Sequence, residues 1–118
     1  ENAVDNESLS SAWIGKGTVL AKLGRYNESF EAFDKAIELN PQAAVFGWLS
    51  KGEALNRSKR YDEAIKAYDK AIEQCPLDAI KLMGAQTWYK KGIALQALGH
   101  TSEADAAFAK AKELGYQA

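Results

Sequence analysis

Three tryptophans recur at the same point of a repeating pattern, and no other feature limits the fold of this chain so strongly. They open the segments Trp13-Ile14-Gly15-Lys16-Gly17, Trp48-Leu49-Ser50-Lys51-Gly52 and Trp88-Tyr89-Lys90-Lys91-Gly92. Leu20, Leu55 and Leu95 each follow three residues after the last Gly of their segment. Short turns come next: Leu23-Gly24-Arg25-Tyr26, Ser58-Lys59-Arg60-Tyr61 and Leu98-Gly99-His100-Thr101. A second stretch places Phe33, Tyr68 or Phe108 three residues before Ala36, Ala71 or Ala111, and Pro41 and Pro76 stop the first two copies. Units of this length cannot bury an apolar face alone, so the chain must stack them into one continuous core.

Both stretches of each unit have the period of a helix. Trp13, Gly17 and Leu20 share one face, and so do Phe30, Phe33, Ala36 and Ile37, and again Ile65, Tyr68, Ala71 and Ile72. Asn27, Asp62 and Ser102 lie where the second helices should begin and are expected to cap their open amides. Glu28, Glu63 and Glu103 follow in the first turn, where negative charge suits the helix dipole. A glycine inside the first helix costs helix propensity, so it calls for close approach of the second helix there. No hairpin signal competes, and the expected fold is all-α, with six helices.

These residues resemble the tetratricopeptide repeat, a helix-turn-helix unit of 34 residues. The resemblance implies a right-handed α-solenoid of three helix-turn-helix units at residues 10–43, 45–78 and 85–118, with 1–9 as an N-terminal tail or the start of the first helix. Three departures stand out. Lys16, Lys51 and Lys91 precede the Gly where the family more often has Leu; Ser29 replaces a small Ala; and Thr101 replaces a turn Tyr. Spacing also departs, since Trp13 and Trp48 are 35 residues apart but Trp48 and Trp88 are 40. The surplus falls at 79–84 within Leu77–Gly84 and reads as an extension of the fifth helix rather than an irregular loop, because no Pro follows Pro76. Gly84 weighs against that extension. A longer helix packs on its neighbour, and its functional alternative is a raised lip at the edge of a groove.

In proteins similar to this, the first helices line a concave groove that takes a peptide or a partner helix. Carried over, the first copy contributes Ile14, Thr18 and Lys22, the second Phe46, Leu49, Ser50, Glu53, Asn56 and Arg57, and the third Gln86, Tyr89, Lys90, Ile93 and Gln96. Apolar anchors among a few directional polar groups suit a peptide site. Ile14, Leu49 and Ile93 read equally well as packing between neighbouring helices. The resemblance also raises a known partner type, the chaperone C-terminal tail held by a two-carboxylate clamp. The clamp positions here are Ile14, Thr18, Ser50, Gln86 and Lys90, so one cation survives and a carboxylate tail would be poorly compensated. The expected function is a non-catalytic protein-interaction module. A self-assembling scaffold that fills its groove or end faces with copies of itself is the alternative. The last copy has Asp105 where the others have Phe30 and Ile65, and Lys112 where they have Ile37 and Ile72, which is the polar face expected at the end of an array. The acidic stretch Glu1 to Glu7 is a candidate strap over the chain's own groove.

Other function classes find little support. With 47% hydrophobic and 26% charged residues among 118, the chain has the balance of a globular protein. Its net charge of −1 offers nothing to nucleic acid, and no apolar run is long enough to enter and cross a membrane. Gly15-Lys16-Gly17-Thr18 lacks the spacing of a phosphate loop and lies inside a helix. His100 sits in a turn where the other copies have Arg25 and Arg60, which reads as a solvated position. Cys75 has no nearby base, and one Cys with one His makes no zinc site. Glu28, Glu31, Asp34 and Glu38 alternate with Lys35 as on a solvated helix face. No catalytic residue, cofactor or metal is expected. Three Asn-x-Ser sequons begin at Asn6, Asn27 and Asn56, a short motif that has meaning only in a secretory compartment. The single cysteine leans towards a reducing, cytoplasmic location.

Overall fold

The computed structural model describes residues 5–41, 44–76 and 80–116. Helices α1 (Asn6–Lys22) and α2 (Tyr26–Leu39) form one hairpin, α3 (Ala44–Arg57) and α4 (Tyr61–Gln74) a second, and α5 (Ala85–Ala97) and α6 (Thr101–Glu113) a third. Helix α2 packs on α3 and α4 on α5, and α3 also touches α1 and α5. The result is a two-layered, elongated α-solenoid of 53 × 33 × 20 Å. Residues 1–4 and Ala79 of the predicted insertion lie outside the described residues.

The chain enters α1 through Asp5, whose carboxylate accepts the Ser8 backbone N–H at 2.8 Å. That hydrogen bond holds the Asp5 carboxyl below the usual carboxylate range. Asn6 and Glu7 already belong to α1. Residues 5–7 are therefore committed to starting a helix and do not form a strap.

The turn chemistry differs from expectation. The amide of Arg25 donates to the Leu20 carbonyl at 2.9 Å and that of Gly24 to Ala21 at 3.0 Å, while Gly24 has φ +79°. This paired closure ends a helix in the left-handed region, and Lys59 (φ 67°) with Arg60, and Gly99 (φ 83°) with His100, repeat it. The residue that completes the closure is already the residue before the next helix. The second helices consequently start at Tyr26, Tyr61 and Thr101, one place ahead of the predicted caps. Asn27, Asp62 and Ser102 stand inside the first turn instead, and Arg25, Arg60 and His100 occupy the cap position without a side-chain cap bond. Arg25 donates two hydrogen bonds of 2.7 Å to Glu28, and Arg60 donates to Glu63 at 2.7 and 3.0 Å. The Arg25 contact keeps the Glu28 carboxyl below its ordinary range.

The mid-helix glycines have the packing reason the sequence called for. A Cβ on Gly17 would stand 2.7 Å from the Phe33 ring, and one on Gly52 or Gly92 would stand 2.5 Å from Tyr68 or Phe108. Each hairpin thus closes by laying an aromatic ring on bare backbone. Ser29, fully buried, donates to the Gly17 carbonyl at 2.7 Å, which offsets the cost of burying its hydroxyl. Ala64 and Ala104 fill the equivalent positions without needing a partner.

Five of the six surplus residues, Ile80–Gly84, form a π-helical turn that runs directly into α5. Gly84 has ordinary helical angles (φ −64°, ψ −43°) and is buried, so it does not interrupt the chain path. Thr87 donates its hydroxyl to the Met83 carbonyl at 2.7 Å, giving a partner to a carbonyl of the widened turn.

Two of the three lysines that depart from the family pattern join neighbouring hairpins. Lys51 pairs with Asp34 of α2, and Lys91 pairs with Asp69 of α4, each at 2.7 Å. Their ammonium groups also lie over the tryptophan rings, 5.5 Å from Trp48 and 4.9 Å from Trp88, and Lys16 lies 4.9 Å from Trp13.

A candidate peptide-binding face

The fourteen residues expected to line a groove all come from α1, α3 and α5, and the structure links two groups of them. Ile14 on α1 meets Phe46 and Ser50 on α3 across a recess of about 390 Å³, whose walls also include Ser10, Ser11 and Asn40. Phe46 is 54% exposed, an unusual cost for an aromatic ring left in water. The hydroxyl of Ser10, by contrast, is already spent on the Ala36 carbonyl at 2.9 Å, so this wall is polar but not open for bonding there. Further along, Lys90 of α5 forms a close ion pair with Glu53 of α3.

Apart from Phe46, the candidates sort by burial. Lys22, Glu53, Arg57, Gln86, Ile93 and Gln96 are exposed, whereas Ile14, Thr18, Leu49, Ser50, Asn56, Tyr89 and Lys90 are half-buried. Lys22 and Arg57 lie in the last turns of their helices, where positive charge is favoured. Thr18 donates its hydroxyl to the Ile14 carbonyl at 2.9 Å, so it is satisfied within its own helix. Asn56 keeps its side-chain oxygen buried with no hydrogen-bond partner among the described residues. Leu49 and Ile14 pack on the core clusters beneath them. Tyr89 is stacked on Tyr116, with ring centroids 4.4 Å apart and planes 17° apart, and lies 5.2 Å from Phe108.

Sequence reasoning missed the Tyr89–Tyr116 stack, because Tyr116 follows the final helix and stands where the other copies have Pro41 and Pro76. It also missed the lysine pairs, although Asp34 and Asp69 hold the same repeat position and could have revealed them. A larger recess, about 470 Å³, lies elsewhere, between Trp48, Lys51 and Leu55 of α3 and Ala67, Asp69 and Lys70 of α4. Versions of about 250 and 380 Å³ recur around Trp13 and Trp88. A crevice that repeats in every hairpin, beside Lys16, Lys51 or Lys91, follows from the packing of the unit. We therefore place the candidate site on the first-helix layer.

His100 is exposed in its turn, with Nδ1 3.3 Å from Glu103. Among the described residues no group of three or more His, Cys, Asp or Glu is placed to hold a metal ion, and no helix is long and apolar enough to cross a membrane.

Three stacked helical hairpins that share a ring-on-glycine closure define an α-solenoid of repeated units. Tetratricopeptide repeat profiles match residues 10–43 and 45–77, and a second profile of that description matches 85–114. The chain belongs to the tetratricopeptide repeat family. Domains of this family generally mediate protein–protein interaction and are typically non-catalytic. Among solved structures the fold is similar to the N-terminal domain of stress-induced protein-1 (STI-1) from C. elegans, with a TM-score of 0.87. The likeness covers 98% of this chain and 91% of that one at 21% identity, and it speaks for the fold alone. No curated protein sequence matches the chain at a significant level.

Proposed function

We propose that the chain holds a peptide or helix of a partner protein against α1, α3 and α5, with an apolar anchor seated at Phe46. The exposed Phe46 ring beside a recess shared by two successive first helices carries this reading. The site favours a ligand with apolar side chains and a neutral end. Lys90, the one cation left at the clamp positions, is engaged by Glu53, so a chaperone-type carboxylate tail meets no available counter-charge there. A head-to-tail scaffold is a weaker reading, because the outer face of α6 presents exposed Asp105, Ala109 and Lys112.

The test is selection of peptides from a displayed library against the wild-type chain, followed by titration against Phe46→Asp/Ile93→Asp. Both side chains are exposed, so helical content by circular dichroism should survive, while affinity should fall at least tenfold. Leu49 and Tyr89 make poorer targets, since both also support packing. Undiminished binding by the folded double variant would remove the site from this face. Mass that rises with concentration, and falls again in that variant, would favour the scaffold.

A further inference from the structure

Half of the large apolar side chains exposed among the described residues lie on one stripe formed by α1 and its C-cap residue Leu23. Leu9, Val19 and Leu23 are 36%, 58% and 64% exposed. Together with Ala12 and Lys16, both also exposed, they span roughly 80° of arc at about 100° per residue. This stripe is separate from the candidate peptide face and is not explained by it.

Position for position, the part of the stripe within α1 corresponds to the surface by which α3 and α5 meet the hairpin before them. Leu9 stands where the later copies have Ala44 and Gly84, Ala12 where they have Gly47 and Thr87, and Val19 where they have Ala54 and Ala94. All six of those later residues are buried. Gly47 sits so close to α2 that a Cβ there would be 2.6 Å from Ile37 Cγ1. Lys16 stands where Lys51 and Lys91 do, and those two pair with Asp34 and Asp69 of the preceding helix at 2.7 Å. Lys16 makes no ion pair among the described residues.

The molecule therefore displays, twice, what covers such a surface. It is a helix presenting an apolar residue, an Asp four positions on and an Ile three beyond that: Phe30, Asp34 and Ile37, then Ile65, Asp69 and Ile72. We propose that the Leu9–Lys16–Val19–Leu23 face of α1 docks an amphipathic helix of a partner protein, whose acidic side chain pairs with Lys16 between two apolar anchors. A second copy of the chain fits poorly. Its own outer helix offers Asp105, Ala109 and Lys112 in that register, without the anchors and with a cation in place of an Ile. Leu9 and Val19 are bulkier than their buried counterparts, so the docked helix carries Ile rather than Phe at its first anchor.

The probe is a synthetic peptide with the α4 sequence, Tyr61–Gln74, locked into a helix by a side-chain lactam on its solvent face. It is titrated into the isotope-labelled full chain and followed by nuclear magnetic resonance. Shifts confined to the surroundings of Leu9, Lys16, Val19 and Leu23 are expected. Reversing the peptide's charge by Asp69→Lys should weaken binding about tenfold, and Lys16→Asp in the chain should restore it. Val19→Asp, at a side chain already exposed, should abolish binding with the fold intact, whereas Phe46→Asp on the other face should leave it unchanged. Several results would overturn the proposal: no shifts at millimolar helical peptide, shifts centred on the peptide face, or equal binding of the reversed peptide. A dimer that Val19→Asp dissociates would overturn it too, by assigning the face to a second copy.

Discussion

Gly15 and Gly17 lie two residues apart in α1, and the same substitution should act on them with opposite signs. Gly15 is exposed, and a Cβ there would meet nothing within 4 Å. Replacing it with Ala removes only the backbone-entropy cost of glycine inside a helix, a gain of about 1 kcal/mol. At Gly17 the same gain is opposed by contact with the Phe33 ring, 2.7 Å from Cε1 and 2.8 Å from Cδ1. Phe33 is 1% exposed and enclosed by Ala21 and Ala54, so the ring has nowhere to move. Overpacking of this kind costs about 1–3 kcal/mol, and relieving a 2.7 Å approach belongs at the upper end. Gly17→Ala is therefore expected to lose about 1–2 kcal/mol net, leaving the two variants roughly 2–3 kcal/mol apart. For a chain of this size a change of about 1 kcal/mol moves the melting temperature by about 4 °C. Gly15→Ala should melt a few degrees above wild type and Gly17→Ala several degrees below. Urea unfolding with unchanged m-values would confirm that native-state stability has moved rather than the denatured ensemble. The reasoning fails if Gly17→Ala is as stable as Gly15→Ala, since the ring-on-backbone contact would then impose no constraint.

Two further predictions concern places where one copy differs from the others. Lys59 has φ 67° where the equivalent turns have Gly24 and Gly99, and it is exposed, so Lys59→Gly should stabilise the chain by about 0.5–1 kcal/mol in a thermal melt. Loss of stability would mean that the Lys59 side chain makes a contact worth more than the strain. Tyr68 is 1% exposed where Phe33 and Phe108 stand elsewhere, and burial followed by the nearby Glu53 charge pushes its phenol well above the ordinary value. The neutral form is the one that folds. The stabilisation is complete below the ordinary tyrosine pKa of about 10 and declines as pH rises above it, because the unfolded phenol ionises first. Tyr68→Phe should match wild type in urea at about pH 7 and lose less stability between about pH 9 and pH 11. An identical decline in both proteins would assign the alkaline limit to other groups.

The repeated parts of this molecule were legible because each is over-determined. Trp, Gly, Leu, an aromatic and Ala recur in register, and the Gly-to-ring contact makes any slip costly. The turns were read less well for a local reason: Asn27, Asp62 and Ser102 are good capping residue types, but the preceding helix closes so tightly that the cap position falls on Arg25, Arg60 and His100. The candidate site was legible only in outline. Periodicity assigns residues to a face, but exposure depends on partners from other copies. Leu49 reads in sequence as groove or packing and packs on the core, while Tyr89 reads as a free groove residue yet is stacked on Tyr116. Phe46 has no aromatic counterpart, with Ser11 and Gln86 in its place, so the repeat pattern carried no sign that it stands exposed.

The lysine before the closing glycine shows how a departure from a family pattern becomes a rule of one chain. A Leu there would contribute apolar burial with no preference of direction. Lys51 and Lys91 instead reach back to Asp34 and Asp69, so each joint has a cation on its following side and an acid on its preceding side. Pairs with one partner this exposed add little net stability, but they discriminate, because a helix with the wrong charge at that place meets a partly desolvated like charge. The ends of the array then differ in kind. The first hairpin keeps the cation, Lys16, beside exposed Leu9 and Val19, while the last replaces the acid with Ala109 between Asp105 and Lys112. The charge order of the inner joints therefore suits the helix proposed at α1, whereas the outer face of α6 does not repeat that charge pattern.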